Sequence, residues 1–293
     1  MITYLKGNIF FSPAEVLVNP VNTVGVMGKG LAADFKKKYP DMFKKYKNFC
    51  DKQKFSVGEL LLLPESDYRI LLFPTKKHWK GSSKIEYIES GLQKFVDTYK
   101  EKKINSIAFP LLGCGFGNLS WENDVRPLME RYLGDLHIDV YIYVSSEKFT
   151  KNTDLNSFRG ISFSIEGVFE FLNEYKKNNF KVNLQNIPYN VTVEGKNLYF
   201  KSDIVGRDVI KISEESLDIT FDKIRKQNII STGSEDTQNL LIYSLLNILG
   251  YVSEVFILDE SENFTKGFQL NRGAIKISDE NKKKSQNFQL SLF

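Results

Sequence analysis

Apolar and polar positions in the first half of the chain switch repeatedly between a strand pattern and a helical one. Short apolar runs at Ile2–Leu5, Glu15–Asn19, Glu59–Leu63, Arg69–Phe73, Ser106–Pro110 and Val140–Val144 predict strands. Leu31, Phe35 and Tyr39 recur every fourth residue and predict one helix, which Pro40 stops. Asp41 predicts the N-cap of a second helix, with Met42, Phe43, Tyr46, Phe49 and Cys50 on its apolar face. Ser83–Lys100 and Val125–Leu133 predict two more helices, and Pro64–Tyr68 the turn between two strands. Strands interleaved with helices predict a three-layer α/β/α sandwich on a mixed, mostly parallel sheet. Ligands of such sheets bind at the carboxyl ends of the strands, where loops supply the chemistry.

The pattern changes beyond the polar stretch Ser145–Asn156 (SSEKFTKNTDLN), which predicts a linker at 147–156. Ser164–Lys177 predicts a helix, and Asn190–Glu194 with Asn197–Ser202 a hairpin turning at Gly195–Lys196. Val209–Ile212 adds a strand, Glu214–Arg225 and Glu235–Leu249 helices, the second closed by Gly250. Val255–Leu258 and Gln269–Ile277 predict late strands, and Asp279–Gln286 a polar tail. The expected organisation is thus a first domain at 1–146 and a second, α+β domain at 157–293.

Composition narrows the class. The 293 residues suit two domains, and 42% hydrophobic with 26% charged residues is ordinary globular usage. No apolar run reaches the roughly 18 residues that span a bilayer, and MITYLKGNIFFSP lacks the layout of a secretory signal. Cys50 and Cys114 lack metal-ligand spacing, and His78 and His137 lie far apart, so a metal centre or a Ser-His-Asp triad has little to build on. These features predict a cytoplasmic protein that needs neither metal nor cofactor. The net charge of +4 is uneven: residues 1–146 hold 21 Lys+Arg against 16 Asp+Glu, and residues 29–54 hold nine lysines against three aspartates. Such a stripe suits a phosphate-rich partner as well as a solvated helix face.

Candidate chemistry gathers at three loops. Asn19-Pro-Val-Asn22-Thr-Val-Gly25-Val-Met-Gly28-Lys-Gly30 follows a strand and runs into a helix, whose free N–H groups favour phosphate. Pro110-Leu-Leu-Gly113-Cys-Gly115-Phe-Gly117-Asn118 repeats that layout. Together they suggest a clamp on a diphosphate, although neither carries P-loop or G-x-G-x-x-G spacing. The third, Phe73-Pro-Thr-Lys76-Lys77-His78-Trp79-Lys80, offers a lysine that desolvation can turn into a nucleophile or base at neutral pH.

The stretches ITYLKGNIF, LVNPVNTVGVMGKGLAADFKKKYPDMF, LLFPTKKHWKGSSKIEYIESGL and IAFPLLGCGFGNLSW run in order through residues 1–146. They resemble the macrodomains of the DarG type, antitoxins that remove ADP-ribose from DNA. The resemblance implies the macrodomain fold, with ADP-ribose as ligand and product. It implies Lys76 as the catalytic lysine, attacking or assisting at the anomeric carbon, and Asn22 as orienting the distal ribose. Asn8 and Ile9 would lie by the adenine. Asn19, Thr23, Val26, Met27, Gly28, Lys29, Gly30, Thr75, Gly113, Cys114, Gly115, Phe116, Gly117 and Asn118 would line the rest of the ligand. Two departures stand out. Macrodomains usually carry Asp where this chain has Asn8, and protein-acting relatives place an Asp in the second glycine loop, which here has no acid.

The expected activity is therefore that of a DNA ADP-ribosyl glycohydrolase, antitoxin to a DarT-like DNA ADP-ribosyltransferase. Single-stranded DNA would run along Lys36, Lys37, Lys44, Lys77, His78, Trp79 and Lys80, with the lysines at 38, 45 and 47 extending the track. Residues 157–293 would dock the toxin, by their position in the chain and not by motif. The alternatives are a binding module for an ADP-ribose-derived nucleotide and, with less support, a hydrolase of ADP-ribose on protein carboxylates.

Overall fold

The computed structural model describes residues 1–145, 163–174, 180–272 and 291–292. Two compact units divide the chain: Met1–Lys148 with Ser278–Phe293, and Phe149–Ile277. The linker expected at 147–156 lies outside the described residues.

In the first unit, β1 (Ile2–Lys6), β2 (Val16–Asn22), β4 (Arg69–Lys76), β5 (Ser106–Pro110) and β6 (Asp139–Ser145) lie in the order β1-β6-β5-β2-β4 and pair in parallel. β3 (Leu61–Pro64) adds antiparallel to β4, and the short β14 (Ser291–Leu292) pairs antiparallel with β3. The sheet is mixed and mostly parallel, as the interleaved pattern predicts. Both of its faces are covered, so β2 alternates into two cores. Val16 and Val18 join the cluster made with Ile88, Leu92, Phe95, Met129 and Leu133 of α3 (Ile85–Thr98) and α4 (Arg126–Leu133). Leu17, between them, is equally buried toward the other layer. That layer contains α1 (Gly30–Lys38) and α2 (Pro40–Asp51), against β2 and β3 respectively.

Several boundaries differ from expectation for local reasons. Pro40 does more than stop α1: it is the first residue of α2, where its missing N–H costs nothing, and Tyr39 takes the N-cap expected of Asp41. β2 and β4 run on to Asn22 and Lys76, so both candidate catalytic residues are strand-end residues and not loop residues. A single π-helical turn, Trp121–Val125, capped by the Ser120 hydroxyl, leads into α4.

The second unit is α+β. β7 (Lys181–Leu184), β8 (Ile187–Glu194), β9 (Asn197–Ser202) and β10 (Ile210–Ser213) form an antiparallel sheet in the order β10-β9-β8-β7. β11 (Ile229–Ser231), β12 (Val252–Leu258) and β13 (Phe264–Leu270) pair antiparallel in the order β11-β13-β12. Helices α5 (Ile165–Glu174), α6 (Glu214–Gln227) and α7 (Thr237–Ile248) share their core. The late strand expected at Gln269–Ile277 is a correction: β13 ends at Leu270, having begun at Phe264 to pair with β12. Residues 273–277 lie outside the described residues. No helix among the described residues is long and apolar enough to cross a membrane.

Candidate active site

The carboxyl ends of β2, β4 and β5 open onto a cavity of about 960 Å³. Pairing of β2 with β4 sets Asn22 opposite Lys76, across a register shift that follows Val21. Lys76 reaches across the cavity mouth and donates its ammonium N–H to the backbone carbonyl of Phe116 in the second glycine loop. Partial burial lowers its pKa from the ordinary lysine value, because desolvation penalises the charged form. A lysine held in this way, with its proton more easily lost, is the arrangement that amine chemistry needs.

The first glycine loop is organised by Asn22 itself. Its Oδ1 accepts from the N–H groups of Val24 (3.1 Å) and Val26 (3.2 Å), and its Nδ2 donates to the Val26 carbonyl at 2.6 Å. The buried Tyr46 hydroxyl donates to the Asn22 carbonyl at 2.7 Å from beneath. The amide of Asn22 thus shapes the loop that faces Lys76. Thr23 ties this loop to the lysine segment, its N–H and hydroxyl both donating to the Lys77 carbonyl at 3.2 and 2.8 Å.

The second loop is built from backbone. Leu119 N–H donates to the Gly113 carbonyl at 3.1 Å, and Ser83 N–H to the Gly117 carbonyl at 3.0 Å. A side chain on Gly117 would meet the Gly113 carbonyl oxygen at 2.1 Å, so only glycine fits there. Gly115 differs: nothing lies within 4 Å of a would-be side chain, and the position borders open cavity.

Of the expected ligand residues, Asn8, Ile9, Asn22, Val26, Gly28, Lys29, Gly30, Thr75, Lys76, Gly113, Gly115, Phe116, Gly117 and Asn118 line the cavity. Four others are not among the residues that line it. Asn19 is fully buried, its Nδ2 contacting Met27 Sδ at 3.8 Å and its Oδ1 without a hydrogen-bond partner among the described residues. Met27 is buried with it, the Thr23 hydroxyl is committed to Lys77, and Cys114 Sγ turns to the Leu112 carbonyl at 3.4 Å. Burial pushes the Cys114 thiol up to about 11, which keeps it protonated near neutral pH.

The cavity also contains residues that spacing alone missed: Phe10, Asp34, Ser83 and Tyr143. Phe10 follows Ile9 in a 3-10 turn capped by Asn8, whose Oδ1 accepts from Phe10 N–H at 3.0 Å. Asp34 was findable, since it lies four residues after Gly30 on the helix that the first loop enters, and residues four apart share a face.

Around the mouth, Trp79 and Phe116 are exposed. His78 stacks on Trp79 with ring centroids 5.5 Å apart, and Lys80 lies 5.1 Å from the Trp79 ring. Trp79 and Lys80 line the cavity, whereas His78 and Lys77 flank it. The lysine stripe is less available than its composition suggests. Lys44 pairs with Asp41 at 2.8 Å, Lys47 with Asp51 at 2.7 Å, and Lys36 sits 4.2 Å from the Phe43 ring.

Residues 18–128 match the family model described as Macro domain. The chain is 41% identical over 174 residues to a DNA ADP-ribosyl transferase-DNA ADP-ribosyl glycohydrolase fusion protein of Thermosipho africanus, covering 53% of this chain and 45% of that protein. It is 39% identical over 150 residues to the DNA ADP-ribosyl glycohydrolase of Mycobacterium tuberculosis, covering 50% of this chain and 43% of that one. The matched region spans less than half the length of these curated relatives. The solved macrodomain of Mycobacterium tuberculosis DarG is 39% identical, with a TM-score of 0.48, covering 50% of this chain and 99% of that one.

Proposed function

We propose that this chain, whose first half is a macrodomain related to DarG, removes ADP-ribose from ADP-ribosylated DNA. The observation that carries this reading is the placement of Lys76. Its desolvated amine spans from the end of β4 to the second glycine loop, opposite Asn22, at the mouth of a cavity sized for a nucleotide diphosphate. The diphosphate would lie between the two glycine loops, against the free N–H groups at the start of α1. The distal ribose would then present its anomeric carbon, which bears the DNA base, to Lys76. The amine acts there as nucleophile or as general base. As nucleophile it forms a C–N bond while the bond to the base breaks, and water later releases ADP-ribose. Asn22 keeps the first loop in place for that approach. No metal or cofactor enters this scheme.

Trp79, with His78 behind it, offers a stacking face for a base outside the cavity, and Lys77 and Lys80 offer charge for the strand. Lys36, Lys37 and Lys44 would extend the contact with less effect, because two of them already engage neighbours on the surface. Names of the relatives support an antitoxin role beside a DarT-like toxin, and residues 157–293 are the proposed dock for that partner.

A second reading, a non-catalytic module that senses an ADP-ribose-derived nucleotide, draws on the absence of any carboxylate partner for Lys76 among the described residues. Incubation of the protein and of Lys76→Ala with ADP-ribosylated single-stranded DNA separates the two. Release of free ADP-ribose by the parent alone supports the glycohydrolase. No release by either, with ADP-ribose still bound, leaves the sensor. Binding of the modified oligonucleotide should weaken steeply with salt. A flat response, or one unaffected by Lys77→Ala with Lys80→Ala, would remove DNA from the reading.

A further inference from the structure

Among the described residues, four charged side chains line the cavity, and three of them are lysines: Lys29, Lys76 and Lys80. The fourth, Asp34, is the only carboxylate among these. It enters no ion pair or side-chain hydrogen bond with the described residues. An anionic ligand suits the lysines and the N-terminus of α1, but a carboxylate on the same wall repels phosphate. A part of the ligand that donates hydrogen bonds suits the exposed Asp34 carboxylate better than phosphate does.

Its position narrows which part. Asp34 lies four residues past Gly30, about 6 Å further along the helix axis than the phosphate-binding end. The next residue, Phe35, packs on Phe10 with ring centroids 4.6 Å apart. Ile9, Phe10, Leu31 and Ala32 give the same cavity an apolar lining, which Asn8 also joins. Asn8 already spends its amide oxygen on the Phe10 N–H. Apolar lining beside a carboxylate that makes no hydrogen bond with the described residues suits a heterocyclic base that carries an exocyclic amine.

We propose that Asp34 is the acceptor that reads the exocyclic amine of the adenine ring, in place of the acid that residue 8 lacks. This rests on the ADP-ribose reading above and names the feature by which the site would select its base. The carboxylate gives the contact charge assistance that the Asn8 amide cannot give, so selectivity moves from β1's end to helix α1.

The test compares ADP-ribose with an analogue whose adenine 6-amino group is replaced by hydrogen, both titrated by calorimetry. The parent should bind ADP-ribose about tenfold more tightly than the analogue, the range of one hydrogen bond to a charged group. Asp34→Ala should bind both at the analogue's level, and Asp34→Asn, which keeps an acceptor oxygen without the charge, should fall between. Asp34 is exposed on its helix, so all three should unfold at the same temperature. Equal loss for both ligands, or a preference that survives Asp34→Ala, overturns the assignment and leaves the ADP-ribose reading standing. A parent that binds neither ligand overturns both.

Discussion

The loop that follows β2 and the loop that follows β5 are both glycine-rich, both leave a parallel strand, and both border the same cavity, yet they are held by opposite means. Side chains hold the first: the Asn22 amide makes three hydrogen bonds to its own loop, and Tyr46 supports it from below. Backbone holds the second, through carbonyls of Gly113 and Gly117 that accept from Leu119 and Ser83. Glycine accordingly means different things in the two. At Gly117 it is a packing requirement, whereas at Gly28 and Gly115 the space beside the backbone is open. Lys76 and Lys77 join the pair, one bonded to each loop. The site is thus framed from two independent directions.

The largest expected effect is at the bridge. Lys76→Ala should lower release of ADP-ribose at least about a hundredfold, with the unfolding midpoint unchanged. A fall in the midpoint as well would make Lys76 a structural tie between the loops. Desolvation lowers the Lys76 pKa, so the neutral amine appears at lower pH than an ordinary lysine allows. The parent's rate should rise with pH and level off below the ordinary lysine pKa. A rate that falls over that range would mean the charged form acts.

Gly117→Ala comes next. Its added methyl meets a backbone oxygen that cannot swing away, and urea denaturation should show a loss of about 3 kcal/mol. Asn22→Ala removes the first loop's frame and should cost about 2 kcal/mol, with weaker ligand binding. If Asn22→Ala proved the more damaging of these two for stability, the contrast between a side-chain frame and a close-packed backbone would not hold. Gly115→Ala and Gly28→Ala should change stability least, by under about 0.5 kcal/mol, while still weakening ADP-ribose binding through the methyl they add. Ligand affinity equal to the parent's in both would show that neither glycine faces the ligand.

Much of the fold is legible because its signals are local. Helical spacing at Leu31, Phe35 and Tyr39, the run Ser106–Pro110 and the hairpin turn Gly195–Lys196 need only neighbours in sequence to express themselves. Less legible are elements that depend on distant pairing. Edge strands β7 and β11 are short, and β13 begins earlier than its sequence pattern predicts because its register is set by β12. The site divides in the same way. Glycine loops and the lysine segment are visible as motifs, but Asn19, Thr23, Met27 and Cys114 share those motifs and are not among the residues that line the cavity.

Sequence alone determined the layered first half, the two glycine loops, the catalytic candidate Lys76 and the departure at Asn8, because each is written in residue type and short spacing. Tertiary structure decided the rest. It set Asn22 opposite Lys76, gave the lysine its carbonyl partner 40 residues away, and paired Lys44 with Asp41 on the exposed surface. It also brought Asp34 to the cavity wall as the one carboxylate there among the described residues. The physical reason is that spacing along a helix or strand fixes which face a side chain takes. What that face meets depends on strand register and helix docking, which many weak contacts across the whole domain settle together.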